Sequence, residues 1–329
     1  VYAGLYIRDN PGTMRYISES DRRKGEINLK ILKWAALAGG VAVGAEIYRE
    51  LHNFCVTHYD ITSRKLADLK EPQTVVFLSD LHNHVYGKNN RPLLEAVQSE
   101  KPDHILIGGD MLVGKKGHDY SPALDFVKKL IPICPVYYAN GNHEQRMKER
   151  PWEYGDVYGK YRQELLRAGV RFLENESDRL DFGNSGISVQ VTGLEIPSES
   201  YGRFRRRQLT GRDIAQCIGD CGGADYEILL AHNPSYMYAY LDWGADLVLS
   251  GHMHGGIVRI PGISGVISPA FEILPKYSGG CYREGEQTAV VSRGLGSHTI
   301  PVRLFNPAEV VVLRLSGADE GCVKESNPV

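Results

Sequence analysis

From Thr74 to Leu315 the sequence repeats one device, a short run of apolar and mostly β-branched residues that stops at a turn rich in Gly, Asp, Asn or His. The runs are TVVFL at 74–78, HILI at 104–107, VYYA at 136–139, ISVQV at 187–191, EILL at 227–230, LVL at 247–249, TAVV at 288–291 and VVVLRL at 310–315. Runs this short and this continuously apolar suit strands of a sheet covered on both faces. Helical patterns separate the early runs. Pro92 suits a first helical turn and is followed by an apolar stripe of Leu93, Leu94 and Val97. Ser121 reads as a cap ahead of Pro122, with Leu124, Val127 and Leu130 facing inward. A third helix is expected over 153–168, across Gly155 and Gly159. Strand and helix alternate up to Ala139, which predicts βαβ units and a parallel segment. The strand-rich remainder predicts a second, mixed sheet.

A composition of 42% hydrophobic and 24% charged residues excludes the disordered and collagen-like classes. The formal net charge of -2 supplies no global field for nucleic acid, so any phosphate recognition has to be local. The six cysteines are scattered. Only Cys217 and Cys221 are close enough to share a helical turn, and two thiols do not make a zinc site, so the cysteines are read as buried structural residues.

The N-terminal region differs from the rest. WAALAGGVAVGA at 34–45 is apolar and uncharged, preceded by Arg22, Arg23, Lys24, Lys30 and Lys33 and closed by Glu46. Three readings are open: a signal anchor, a cleaved signal peptide with Val43 and Ala45 before the cut, and a short packed helix. The anchor is preferred, and its charge bias places the large domain outside the cytoplasm, a cytoplasmic location being the alternative. The expected organisation is an N-terminal segment at 1–50, a linker at 51–72, a main domain at 73–316 and a tail at 317–329.

Five of the strand ends carry residues that bind hard or borderline metals. Asp80 and His82 end the first run, Asp110 the second, and Asn142, His143 and Glu144 the third; His232 follows the run at 227–230, and His252 and His254 the run at 247–249. The carboxyl ends of strands in an open α/β sheet line one crevice, so ligands far apart in sequence can converge. Hydrolysis of a phosphoester needs a strong nucleophile at neutral pH and neutralised phosphoryl oxygens. Two divalent ions about 3.5–4 Å apart supply both, through a bridging hydroxide and a clamp on substrate oxygens. A carboxylate must bridge such ions, and Asp110, after Gly108 and Gly109, is the natural candidate. The mix of imidazole, carboxylate and amide favours Mn, Fe or Zn over Mg or Ca.

The order Asp-x-His, Gly-Asp, Gly-Asn-His-Glu, a lone His and Gly-His-x-His resembles the calcineurin-like metallophosphoesterases over roughly residues 73–315. The resemblance implies a four-layer α-β-β-α sandwich of two mixed sheets. It implies one metal on Asp80, His82, Asp110 and His254, and a second on Asp110, Asn142, His232 and His252. It also makes His143 the catalytic group that touches the phosphate and protonates the leaving oxygen. The stretches SDLHNHVYGKNN, AHNPSYMYAY, ADLVLSGHMHGG, VSRGLG and LFNPAEVVV are similar to a bacterial, membrane-associated subgroup, some members of which hydrolyse lipid or nucleotide-lipid phosphoesters. Met253 and Ile257 depart from that pattern, at positions that are not ligands.

The remaining histidines (His52, His58, His84, His104, His118, His298) lack motif support and are read as surface or packing residues. Glu144 is read as starting a helix or supporting the ligands. Arg293 has two readings, a fork donor to a substrate phosphate and a salt bridge that supports a turn between the sheets. Arg203–Arg207 (RFRRR) reads as a solvated face, with contact to anionic lipid or substrate as the alternative. The expected activity is metal-dependent phosphoester hydrolysis, with a lipid-linked substrate or a nucleotide-lipid pyrophosphate in view. Its rivals are a soluble phosphodiesterase or nuclease acting on nucleotides, and a binding scaffold without catalysis.

Overall fold

The computed structural model of the chain describes residues 5–10, 13–17, 19–183, 185–202, 208–256, 259, 275–297 and 301–317. Arg203–Arg207, Ile257, His298, Cys322 and the tail from 318 onward lie outside the described residues. The chain separates into two compact units, Val1–Arg49 and Glu50–Val329.

The first unit opens with an antiparallel hairpin of β1 (Leu5–Asn10) and β2 (Thr13–Ile17). The helix α1 (Glu19–His52) begins there and ends in the second unit. Its stretch Lys30–His52 is 23 residues with a hydropathy of 1.3, and none of its most apolar window is buried. Ile31, Leu32, Trp34, Leu37 and Val41 all face outward. At 1.5 Å per residue such a helix is about 34 Å long, enough for a hydrocarbon core of about 30 Å. One helix of the chain is therefore long and apolar enough to span a membrane.

In chain order the second unit runs β3 (Phe54–Thr62), β4 (Gln73–Leu78), α2 (Arg91–Ser99), β5 (His104–Ile107), α3 (Ser121–Leu130) and β6 (Val136–Tyr138). There follow α4 (Asn142–Glu149), α5 (Pro151–Tyr154), α6 (Val157–Ala168), β7 (Arg171–Phe172), β8 (Ser177–Leu180) and β9 (Val189–Leu194). The last elements are α7 (Gly211–Ile218), β10 (Tyr226–Ala231), α8 (Met237–Trp243), β11 (Leu247–Ser250), β12 (Gly280–Glu284), β13 (Gln287–Val291) and β14 (Ala308–Ser316). One sheet has the order β3-β14-β4-β5-β6-β7 and the other β12-β13-β11-β10-β9-β8. Both are mixed. Antiparallel β14 interrupts the first, and antiparallel β8 and β12 edge the parallel core of the second.

The period of two along each strand sorts its side chains into three apolar layers. On β4, Val76 and Leu78 pack toward α2, α3 and α6, while Val75 and Phe77 pack between the sheets. On β10, Ile228 and Leu230 enter the same middle layer, and Leu229 and Ala231 pack toward α7 and α8. Each fully buried aliphatic contributes about 1.5–3 kcal/mol relative to exposure. Three apolar layers require four structural ones, which gives the expected α/β sandwich with helices outside two mixed sheets.

Several local expectations are corrected. The stretch read as a linker, 51–72, contains β3, which pairs with β14 along nine residues from Phe54↔Ala308 to Thr62↔Ser316. His58, Tyr59 and Asp60 break its apolar run, which hid it. The strand read at 187–191 lies at Val189–Leu194. The helix read over 153–168 is two, parted where Gly155 takes a φ of 69°. Ser121 is the first residue of α3 and not its cap; its N–H and hydroxyl both donate to Asp119, at 2.9 and 2.6 Å. The five described cysteines are free, and all are only partly buried.

Candidate metal centre

The turns after β4, β5, β6, β10 and β11 all leave the carboxyl ends of parallel strands. Asp80, His82, Asp110 and Asn142 thus come from the first sheet, and His232, His252 and His254 from the second. The structure brings three overlapping donor sets together: Asp80, His82 and His254; His82, Asp110 and His143; and Asp110, His232 and His252.

Backbone geometry marks the same residues. Asp80, His82, Asp110, His252 and His254 have φ between 48° and 67°, the left-handed region that residues with a Cβ rarely adopt. Each such residue stores on the order of 1–3 kcal/mol, which the surrounding structure must enforce. Gly141 shows how closely the turns approach, since a Cβ there would lie 2.2 Å from Asp110 Oδ1. At Gly251 a Cβ would meet Ser79 Oγ at 2.1 Å and Asp80 Oδ2 at 2.2 Å.

The histidines sort themselves by tautomer. His232 Nδ1 lies 2.7 Å from the Gly108 carbonyl and His254 Nδ1 3.1 Å from that of Gly296. A carbonyl only accepts, so both rings carry a proton on Nδ1 and turn the Nε2 lone pair toward the cluster. His143 is the reverse. Its Nδ1 accepts from the Gly114 N–H at 2.7 Å and faces Arg146 Nη2 at 3.3 Å, two groups that only donate. Its neutral ring therefore carries the proton on Nε2, which lies 3.9 Å from Asp110 Oδ2.

Two buried polar atoms in the site make no hydrogen bond. Asn142 Oδ1 and His232 Nε2 are buried without a hydrogen bond. His82 Nε2 and His254 Nε2 face each other at 3.2 Å, a separation at which two lone pairs repel unless a proton or cation lies between them. Asp80 Oδ1 is 3.2 Å from His254 Nε2, and Asp110 Oδ2 is 3.2 Å from His232 Nε2. Burial would lower the His232 pKa, but Asp110 and Asp80 outweigh it and lift the ring to about 10, so a proton on Nε2 competes with a cation for the position beside Asp110. Burial would raise Asp110, and His232 and His143 outweigh it, holding the carboxyl well below its usual range. Dry carboxylates demanding positive charge, beside clustered imidazoles and the unbonded Asn142 Oδ1, fit divalent cations.

Glu144, the third residue of α4, supports this arrangement. Its buried carboxylate accepts from the N–H groups of Asp110, Leu112 and Gly141 at 2.8, 3.0 and 3.2 Å, and from the Tyr138 hydroxyl at 3.0 Å. Sequence reasoning anticipated a supporting role but not this clamp on the Asp110 turn. Two clamps were missed altogether. Asn306 donates from Nδ2 to the carbonyls of His254 and Gly256, both at 2.7 Å, while its own N–H donates to Glu50. Arg303, buried, gathers the carbonyls of Arg293, Gly294, Gly296 and Asn306. A side chain that ties backbone carbonyls leaves no periodic or motif signal; the fragment FNP after a strand-poor stretch was the nearest hint.

Of the two readings of Arg293, the ion pair between the sheets is present. Its Nε and Nη2 bind Glu309 at 2.8 and 2.6 Å, Nη2 also reaches Thr57 Oγ1 at 3.0 Å, and its N–H donates to Glu309. Arg293 follows β13 while Glu309 and Thr57 lie on β14 and β3, so the pair joins the two sheets. Burial would raise Glu309, and Arg293 outweighs it and holds the carboxyl below its ordinary value. Of the unassigned histidines, His58 pairs with Glu100 at 2.8 Å, His104 is buried, and His84 packs on Tyr86.

Comparison with known proteins agrees with this geometry. The chain is 24% identical to the metallophosphoesterase YkuE of Bacillus subtilis, over 86% of this chain and 93% of that protein. It is 26% identical to the phosphodiesterase YaeI of Escherichia coli, over 78% and 88%. It is 29% identical to the metallophosphoesterase Cj0846 of Campylobacter jejuni, over 77% and 62%. Residues 73–256, more than half of the chain and the span that holds all seven candidate ligands, match the Calcineurin-like phosphoesterase family, and the protein is a member of it.

Proposed function

We propose that this phosphoesterase works with two divalent ions, Mn, Fe or Zn, and that its substrate is a phosphoester presented at a bilayer surface, such as a lipid-linked ester or a nucleotide-lipid pyrophosphate. The observation that carries the two-ion reading is the convergence of three overlapping donor sets, Asp80, His82 and His254, then His82, Asp110 and His143, then Asp110, His232 and His252, with the buried Asn142 Oδ1 left without a hydrogen bond. When bound, the ions supply a hydroxide at neutral pH and neutralise the phosphoryl oxygens. Asp80, His82 and His254 would hold one, Asn142, His232 and His252 would hold the other, and Asp110 would serve both. His143 holds its proton on Nε2 and releases it to the leaving oxygen, and the Gly114 N–H keeps the ring in that tautomer.

The bilayer reading rests on the exposed apolar stretch Lys30–His52 and on the cations Arg23, Lys24, Lys30 and Lys33 at its amino side. That bias puts the amino end in the cytoplasm and the catalytic unit outside. The name of the relative YaeI makes a phosphodiester the first substrate to try.

The test is metal analysis of the purified full chain, followed by a panel of monoesters, diesters and pyrophosphates, soluble and lipid-linked, with Mn, Zn, Fe or Mg. His143→Ala should lower turnover by about 10²–10⁴-fold at unchanged metal content. Full activity in that variant removes the acid. A chain that binds no transition metal, with Asp110→Asn changing nothing, removes the two-ion reading.

A further inference from the structure

Tyr201 takes no part in the site as described, yet it stands against it. It ends the short 3-10 turn Ser198–Tyr201, in the stretch between β9 and α7. That turn is fixed on both sides. The Ile196 carbonyl accepts from Gln145 Nε2 at 2.8 Å, and the Ser198 hydroxyl donates to Glu149; both partners lie on α4, the helix that begins with Asn142 and His143. The Ser200 carbonyl accepts from the Tyr236 hydroxyl at 2.8 Å, just beyond His232 in sequence. The turn is thereby attached to elements that follow ligand-bearing strands of both sheets.

The ring of Tyr201 meets the His252 imidazole edge to face, with centroids 5.4 Å apart at 71°. His252 in turn meets His232 at 5.3 Å and 66°. The three rings form a continuous aromatic wall that starts among the candidate ligands and ends at a phenol. Tyr201 is only partly buried, and its hydroxyl has no hydrogen-bond partner among the described residues. A tyrosine used only for packing against His252 would need no hydroxyl, and a hydroxyl held at a polar site without a partner is a donor in waiting.

We propose that Tyr201 contacts the substrate, its phenol donating a hydrogen bond to a non-bridging oxygen of a phosphoryl group held at the candidate metal centre. This rests on the function proposed above. A phenol is protonated at neutral pH, so it offers a neutral donor beside His252.

Tyr201→Phe keeps the ring on His252 and removes only the hydroxyl. The experiment uses the Mn-loaded full chain in detergent and reads three quantities: bound Mn, the affinity for inorganic phosphate by calorimetry, and KM and kcat on bis(4-nitrophenyl) phosphate. The expected result is unchanged Mn content and a phosphate affinity weakened about 10- to 100-fold, the loss of one hydrogen bond to a charged group, with KM rising in parallel. Phosphate affinity and kcat/KM within about twofold of wild type overturn the proposal. So does a loss of Mn with phosphate affinity per loaded site unchanged, which would make Tyr201 only a support for His252. If the wild type binds phosphate but cleaves no ester, the functional reading fails while the phosphate comparison still judges Tyr201. A wild type that binds no phosphate overturns both.

Discussion

Glu144 is the residue on which the Asp110 turn depends, and its removal has a calculable effect. Glu144→Ala leaves three amides, those of Asp110, Leu112 and Gly141, and the Tyr138 hydroxyl without their acceptor in a fully buried site. At about 1–3 kcal/mol for each orphaned donor, with partial relaxation, the sum is about 4–8 kcal/mol, comparable with the whole stability of an ordinary domain. Glu144→Gln keeps one oxygen for two donors and sets an amide against the others; the Tyr138 hydroxyl can turn to accept. The net loss is then about 2–3 kcal/mol, or a melting temperature lower by about 4–12 °C. Tyr138→Phe removes a single donor and should lie near wild type. Thermal melts by circular dichroism, without added metal and at pH 7, should therefore rank wild type, Tyr138→Phe, Glu144→Gln and Glu144→Ala in descending order. The reasoning is refuted if Glu144→Ala melts within about 2 °C of wild type, because the four contacts would then carry almost no free energy.

Three further outcomes are expected. Arg293→Met should destabilise by about 3–5 kcal/mol at neutral pH, since it leaves the Glu309 carboxylate buried and unpaired. Because the folded-state pKa of Glu309 is depressed, its stabilisation is full above the unfolded carboxyl value of about 4.3 and fades as pH falls through the folded value. The gap between variant and wild type should accordingly shrink in acid, and a gap that widens below pH about 4 contradicts the pairing. Gly141→Ala should weaken Mn binding at least about tenfold, because its Cβ would displace the Asp110 carboxylate; equal affinity by calorimetry would show that the two turns can part. Val41→Lys, which adds about 2.5–3.5 kcal/mol to insertion at a helix centre, should shift the chain toward the aqueous phase in detergent partitioning, and unaltered partitioning counts against a spanning helix.

The candidate ligands were legible because the strands that carry them are buried on both faces. TVVFL, HILI and LVL read as strands without ambiguity, and the Asp, Asn or His at each end stood out against them. β3 was not legible: among the described residues it lies at the sheet edge and pairs only with β14, so its polar residues face solvent in part and break the apolar run. The helix break at Gly155 was visible as a warning but not as a result, since glycine in a helix and glycine between helices look alike until φ is known. The tautomers of His143 and His232 had no trace in sequence. They depend on which backbone group, an N–H or a carbonyl, lies behind each ring.

The division of the candidate ligands between two sheets has a consequence for ion choice. Asp80, Asp110 and Asn142 are fixed relative to one another by one sheet, and His232, His252 and His254 by the other, so the separation between the two groups is a dimension of the sandwich. The apolar filling between the sheets, Phe77, Leu106, Leu230 and Leu249 among it, works as a spacer of set thickness. A side chain exchanged there touches no ligand but resizes the cage, and ions of different radius and coordination number feel that change unequally. Two relatives with identical ligand residues and differently filled middle layers would then prefer different metals, a selectivity written in the packing and not in the motifs.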